Sequence, residues 1–204
     1  SARPTSSRSV SGSIFSCQEG LVIIDAGEGF QTRYAQQRSR MKRCGEPSAL
    51  RPNRIAAVAL THGHLDHTWG LLPFLQTLSL DGRKQPLIVY APTSAEVLDS
   101  LRSDGIDAVL PTNTPSAELL NQYRAWFSLG GTSSHLGYEI RWLLGDARSR
   151  HWVEFVNDCS SLEWHDSMPQ PEAFKMFRMD ALPTDHSVPS CGWQLSQKER
   201  KGTF

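Results

Sequence analysis

The stretch that decides the fold is Ile55-Ala56-Ala57-Val58-Ala59-Leu60 followed at once by Thr61-His62-Gly63-His64-Leu65-Asp66-His67. The first six residues form a short, wholly apolar run, as expected of a strand buried on both faces. In extended chain His62 and His64 point to the same side. Asp66 and His67 follow where the chain turns toward a helical pattern. Gly63 allows a tight backbone path between the two histidines. Four ligand-capable side chains thus meet at the end of one strand. Neutral imidazole and carboxylate suit zinc and neighbouring transition metals. A chance polar loop is the competing reading. It is disfavoured because three of the seven histidines of the chain fall within six residues, with an Asp between them.

Outward from this segment, β-type runs alternate with helical patterns. Ile14–Cys17 and Leu21–Asp25 read as a hairpin joined by Gln18-Glu19-Gly20. Gly27-Glu28-Gly29 turns the chain into a helix expected over Phe30–Gln37, and the polar stretch from Arg40 to Asn53, with two prolines, reads as a loop. Leu71, Leu75 and Leu78 lie at helical spacing, with Pro73 delaying or bending the start. Leu87–Tyr90 is a buried strand, and Thr93–Arg102 fits a helix with Ser94 near its start. Strand–helix alternation predicts a layered α/β domain. After about Ser128 the pattern turns to β: Tyr138–Leu144, Trp152–Asn157, Phe174–Met179 and Trp193–Leu195 are expected strands, and Ser160–Pro171 a surface loop.

The His-x-His-x-Asp-His run after a buried strand resembles the metal-binding motif of the metallo-β-lactamase superfamily. Three further segments resemble one of its families, ribonuclease Z, the tRNA 3′-processing endonucleases. Leu21 to Gln31 is similar to that family's strand and turn, an aspartate followed by Cys-Gly-Glu-Gly-Thr-Gln: Asp25, Gly27, Glu28, Gly29 and Gln31 match, while Ala26 and Phe30 depart. His186-Ser187-Val188-Pro189-Ser190-Cys191-Gly192-Trp193 resembles a ligand His followed by Val-Pro-Ser-Phe-Gly-Tyr, with Cys191 and Trp193 replacing the two aromatics. Pro4 to Ser9 resembles a Pro-x-x-x-Arg-Asn loop near the cleavage site, with Ser9 in place of Asn.

The resemblance implies a single domain with a metallo-β-lactamase αβ/βα sandwich, incomplete at both ends. The family's bridging Asp and final His are expected beyond Phe204, and the isolated chain is then expected to be a poor catalyst that holds one metal. Gly145-Asp146-Ala147 has a similar look to the bridging motif but precedes His186, so Asp146 is read as a turn residue. By resemblance His62, His64 and His186 bind one metal, and Asp66 and His67 the other. Asp66 also accepts a proton, Asp25 supports the histidines by hydrogen bonding, and Arg8 contacts substrate. The implied cofactor is zinc, two ions in the complete enzyme. The implied substrate is precursor tRNA, cut 3′ of the discriminator base, and a homodimer is admitted. Two alternatives stay open. One is another hydrolase of the same fold, acting on a phosphodiester, thioester or sulfate ester. The other is a non-catalytic metal-binding scaffold.

Composition bounds these readings. The 204 residues carry 21 Lys/Arg and 21 Asp/Glu, which argues against binding nucleic acid by bulk positive charge alone. Residues 1–54 hold nine Lys/Arg against four Asp/Glu, mostly in Arg33–Arg43, read as a solvated helix face and loop. No apolar run reaches the roughly 18 residues of a membrane span. Four scattered cysteines without a CxxC favour a reducing compartment over a disulfide scaffold. The sequence does not encode the compartment itself: an intracellular one is expected, the cytoplasm foremost, with nucleus or organelle also open. His135, His151 and His165 lack supporting neighbours and are read as structural or surface residues.

Overall fold

In the computed structural model, which describes Arg3 and residues 10–198, seven strands form one sheet in strict chain order. They are β1 (Ser13–Cys17), β2 (Gly20–Ile24), β3 (Ile55–Ala59), β4 (Leu87–Pro92), β5 (Ile140–Gly145), β6 (Trp152–Val156) and β7 (Ser161–His165). β2 to β5 run parallel, and the hairpins β1–β2 and β5–β6–β7 flank them antiparallel. The parallel centre needs crossovers. Helix α1 (Phe30–Arg43) supplies the first, α2 (Leu65–Thr68) and α3 (Leu71–Leu80) the second, and α4 (Ala95–Asp104), α5 (Leu119–Ser128) and α6 (Ser133–Leu136) the third. A chain that always steps to the next strand in one direction with right-handed crossovers must lay its helices on one face.

Strand alternation divides the core accordingly. Leu21, Ile23, Val58, Leu87, Val89, Trp142 and Leu144 pack with Phe74, Leu75, Val97 and Tyr123 of the helices. Val22, Ala57, Ala59, Ile88, Tyr90, Leu143 and Trp152 face the other way. A two-stranded antiparallel sheet, β8 (Phe177–Pro183) and β9 (Cys191–Gln197), covers part of that second face through Met179, Trp193 and Leu195. Among the described residues no helix is long and apolar enough to cross a membrane.

The expected elements are present, with three corrections. Helix α1 runs past Gln37 to Arg43. Its last turn carries Arg40, Lys42 and Arg43, which suit the negative end of the helix dipole, and Met41 packs against the core. The segment expected as a surface loop contains β7, an edge strand whose Leu162 and Trp164 lie against the core. Helix α5 went unassigned in the sequence, although Leu119, Leu120, Tyr123 and Trp126 form its buried stripe. Pro73 sits at the third position of α3, inside the first turn, where a missing N–H costs no helical hydrogen bond. Asp146 is a turn residue: its carboxylate accepts from the backbone N–H of Arg148 at 3.0 Å and of Ser149 at 2.9 Å.

Candidate metal centre

Three chain segments meet at the carboxyl ends of β2 and β3. The backbone of Asp25 continues β2 by donating to Ala59 O at 3.1 Å. Asp25 then adopts a left-handed conformation, φ 59°, which Asp tolerates better than most residues. The next residues dock on the ligand helix: Ala26 N–H donates to His67 O and Gly70 N–H to Ala26 O, both at 2.8 Å. The approach is so close that a Cβ on Gly27 would lie 2.0 Å from Asp66 O, so only glycine fits there.

The third segment comes from the second sheet. Cys191 N–H donates to Thr61 O at 2.9 Å, and His62 forms an antiparallel bridge with Ser190. The Trp193 indole N–H donates to Leu60 O at 3.0 Å. These bonds tie the β8–β9 connection, and with it His186, to the end of β3.

Four imidazoles converge as a result. Ring centroids lie 4.8 Å apart for His62–His64, 4.0 Å for His62–His67, 4.6 Å for His62–His186 and 5.0 Å for His64–His186. One donor atom each of His62, His64 and His186 falls within 4.8 Å of the other two. Asp66 lies alongside, its carboxylate 3.7 Å from His67 Nε2. Burial and the neighbouring histidines push the His62 pKa down to about 4, so His62 is neutral at pH 7. Three imidazoles in mutual reach, one of them held neutral, fit a transition-metal ion such as zinc.

The surroundings orient the rings. Asp25, 5% exposed, accepts from His67 Nδ1 at 2.7 Å and from Thr61 N–H at 2.8 Å. The Thr61 hydroxyl also reaches this carboxylate at 2.9 Å and lies 3.0 Å from His62 Nδ1. Burial raises the Asp25 pKa against the lowering effect of these hydrogen bonds. An ionised Asp25 can only accept, so it holds a proton on His67 Nδ1 and turns Nε2 toward Asp66. His186 is exposed, and its Nδ1 accepts from Ser187 N–H at 2.8 Å.

All the metal-ligand candidates named from sequence therefore share one site, with Asp25 beneath them. Arg8 and the Pro4–Ser9 loop lie outside the described residues. The reading from sequence missed the part played by Thr61. A hydroxyl residue directly before the first His was the available signal. His135, His151 and His165 stay outside the site; His165 Nε2 instead lies 3.2 Å from Glu154.

A parallel-centred sheet that gathers histidines at its carboxyl edge, with one more histidine from a second sheet, defines a metal-binding α/β protein. The Metallo-beta-lactamase superfamily model matches residues 16–160, and the chain belongs to that superfamily. Relatives along nearly the whole chain include proteins named ribonuclease Z. That of Lacticaseibacillus casei is 35% identical over 98% of this chain and 45% of its own length. That of Myxococcus xanthus is 27% identical over 100% and 47%. The mouse zinc phosphodiesterase ELAC protein 1 is 25% identical over 98% and 51%. The chain spans about half the length of the relatives it matches. Among solved structures, the short form of human tRNase Z aligns with a TM-score of 0.49 and 21% identity, over 97% of this chain and 62% of that one.

Proposed function

We propose that this chain forms the metal-binding part of an endoribonuclease that removes the 3′ trailer of precursor tRNA. The observation that carries the reading is the convergence of His186 on His62 and His64 across 124 residues of chain, in the frame of motifs that resemble ribonuclease Z. Its similarity to proteins named ribonuclease Z over nearly all its length supports the same reading.

His62, His64 and His186 would hold one zinc ion, and Asp66 and His67 would contribute to a second. Bound zinc lowers the pKa of water toward about 7 and stabilises negative charge on a phosphoryl group. The chain's own residues do the rest. Asp66, partly open to solvent, accepts the proton of the attacking water. Asp25 holds His67 in one tautomer and orientation. A polar cleft of about 330 Å³, lined in part by Thr93, Ser94, Ser187, Ser190 and the ion pair of Arg148 with Asp185, opens beside His186.

The test, made on a chain extended to supply the bridging Asp and final His that the resemblance implies, is release of a labelled 3′ trailer from precursor tRNA, beside a generic phosphodiester and a thioester, with Asp66→Ala as the inactive variant. Preference for the thioester would move the chain to another branch of the superfamily.

A further inference from the structure

Of the four imidazoles of the site, that of His64 is the least supported. Thr61 lies against the His62 ring, Asp25 holds His67, and the Ser187 N–H holds His186. Among the described residues no hydrogen bond reaches the His64 ring. Its neighbours are the His62 and His186 rings. The direction of His64 therefore depends on its backbone.

That backbone is gripped from helix α5. The Gln122 side-chain amide donates through Nε2 to Gly63 O, and its Oε1 accepts from the buried Thr68 hydroxyl at 2.7 Å. Thr68 lies one turn after His64 on α2, and its hydroxyl is also 3.4 Å from His64 O. One amide thus spans both sides of His64, the loop before it and the helix after it. Both of its ends are matched, since a carbonyl can only accept and the hydroxyl donates. The contact is close: a Cβ on Gly63 would lie 1.8 Å from Ala117 O, so the peptide at Gly63 presses on the α5 entrance.

The platform beneath is fixed. Glu118 caps α5, its Oε1 accepting from Leu120 N–H at 3.4 Å and from the Thr93 hydroxyl at 2.6 Å. The Tyr123 hydroxyl donates to Leu143 O at 2.9 Å and ties α5 to β5.

We infer that Gln122 is a positioning residue for the metal centre, setting the His64 ligand through the peptide that carries it. The inference rests on the metal-binding half of the reading above and extends it to a helix outside the ligand motifs. A hydrogen-bonded support of a ligand is worth roughly 10–100-fold in metal affinity. Gln122 acts one peptide further away, so about tenfold is expected.

The experiment compares Gln122→Met, which keeps the side-chain length and loses both hydrogen bonds, with Tyr123→Phe, which loses a buried hydrogen bond on the same helix. Zinc affinity is read by competition with a chromophoric chelator, ligand geometry by the visible spectrum of the cobalt(II) form, and stability by thermal melting. Gln122→Met should bind zinc about tenfold more weakly and shift the cobalt spectrum, while Tyr123→Phe melts lower with the parent's affinity and spectrum. Thr68→Val removes the other end of the bridge. It should reproduce the same spectral change should Gln122→Met not fold. Parental affinity and spectrum in Gln122→Met, or in Thr68→Val as its substitute, would overturn the inference. So would an equal loss in Tyr123→Phe, or a parent chain that binds no metal. A parent that binds metal, while a chain extended to supply the bridging Asp and final His leaves precursor tRNA intact, fails the functional reading and leaves the positioning role standing.

Discussion

Among the described residues two buried carboxylates are bonded to histidine, and they behave oppositely. Asp25 meets His67 at the carboxyl end of the parallel strands, among three more imidazoles, and among the described residues no arginine or lysine is bonded to it. Its pKa is raised, because burial outweighs its hydrogen bonds. Glu154 on β6 meets His165, but the Arg141 fork grips both of its oxygens at 2.7 Å. Burial pushes Glu154 up, yet this fork and His165 hold its pKa below the ordinary value. The pair motif alone says nothing about chemistry. A carboxylate already matched by a guanidinium is a structural tie, whereas one left to histidines can orient ligands for a cation.

The sharpest way to break the comparison is to remove one histidine from each region. His64→Ala takes away a donor outright and should exceed the ~10–100-fold loss of an outer support, weakening zinc binding by about a thousandfold. His165→Ala should leave the zinc affinity unchanged. Metal content after dialysis against a chelator checks both, and retained zinc in His64→Ala would move the site elsewhere.

Next in size is the loss of the guanidinium. Arg141→Met strands a buried charge and should destabilise the fold by about 3 kcal/mol at neutral pH. The depressed Glu154 pKa fixes the sign: its stabilisation is present above the ordinary glutamate value and fades as pH falls through the lowered one. The gap between parent and variant in chemical denaturation should therefore shrink on acidification. A gap independent of pH would mean that lost packing, not charge, dominates.

Asp25→Asn is the counterpart. Asn tolerates the left-handed backbone and keeps an oxygen for Thr61, so the fold should survive. His67 loses its charged partner, and metal affinity should fall between about tenfold and a hundredfold. Glu154→Gln should leave it unmoved. The smallest effect expected is His165→Ala on stability, about 1 kcal/mol or less for one hydrogen bond beside an intact Arg141 fork.

The same contrast explains what could be read from the sequence. The His62–His67 cluster was legible because its donors are adjacent in the chain and follow an apolar run that can only be a strand. Asp25 and His186 were legible only through motif resemblance, since nothing local says that β2 lies beside β3 or that the β8–β9 connection folds over it. The Arg141–Glu154–His165 tie was invisible: it depends on the register of three antiparallel strands, one of which, Ser161–His165, is five residues long and half polar. Gln122 was equally hidden, because a single amide at a half-buried helix position carries no pattern.

The bond between Cys191 and Thr61 has a kinetic consequence. The hairpins and helical crossovers of the large sheet can form between neighbours in the chain, but His186 reaches its partners only after a loop of more than a hundred residues has closed. Such distant contacts come at a large entropic cost and form late. In refolding, secondary structure should return before the three imidazoles can trap an ion together. The appearance of cobalt colour, followed in a stopped-flow cell, would then time the docking of the β8–β9 hairpin rather than the formation of the sheet.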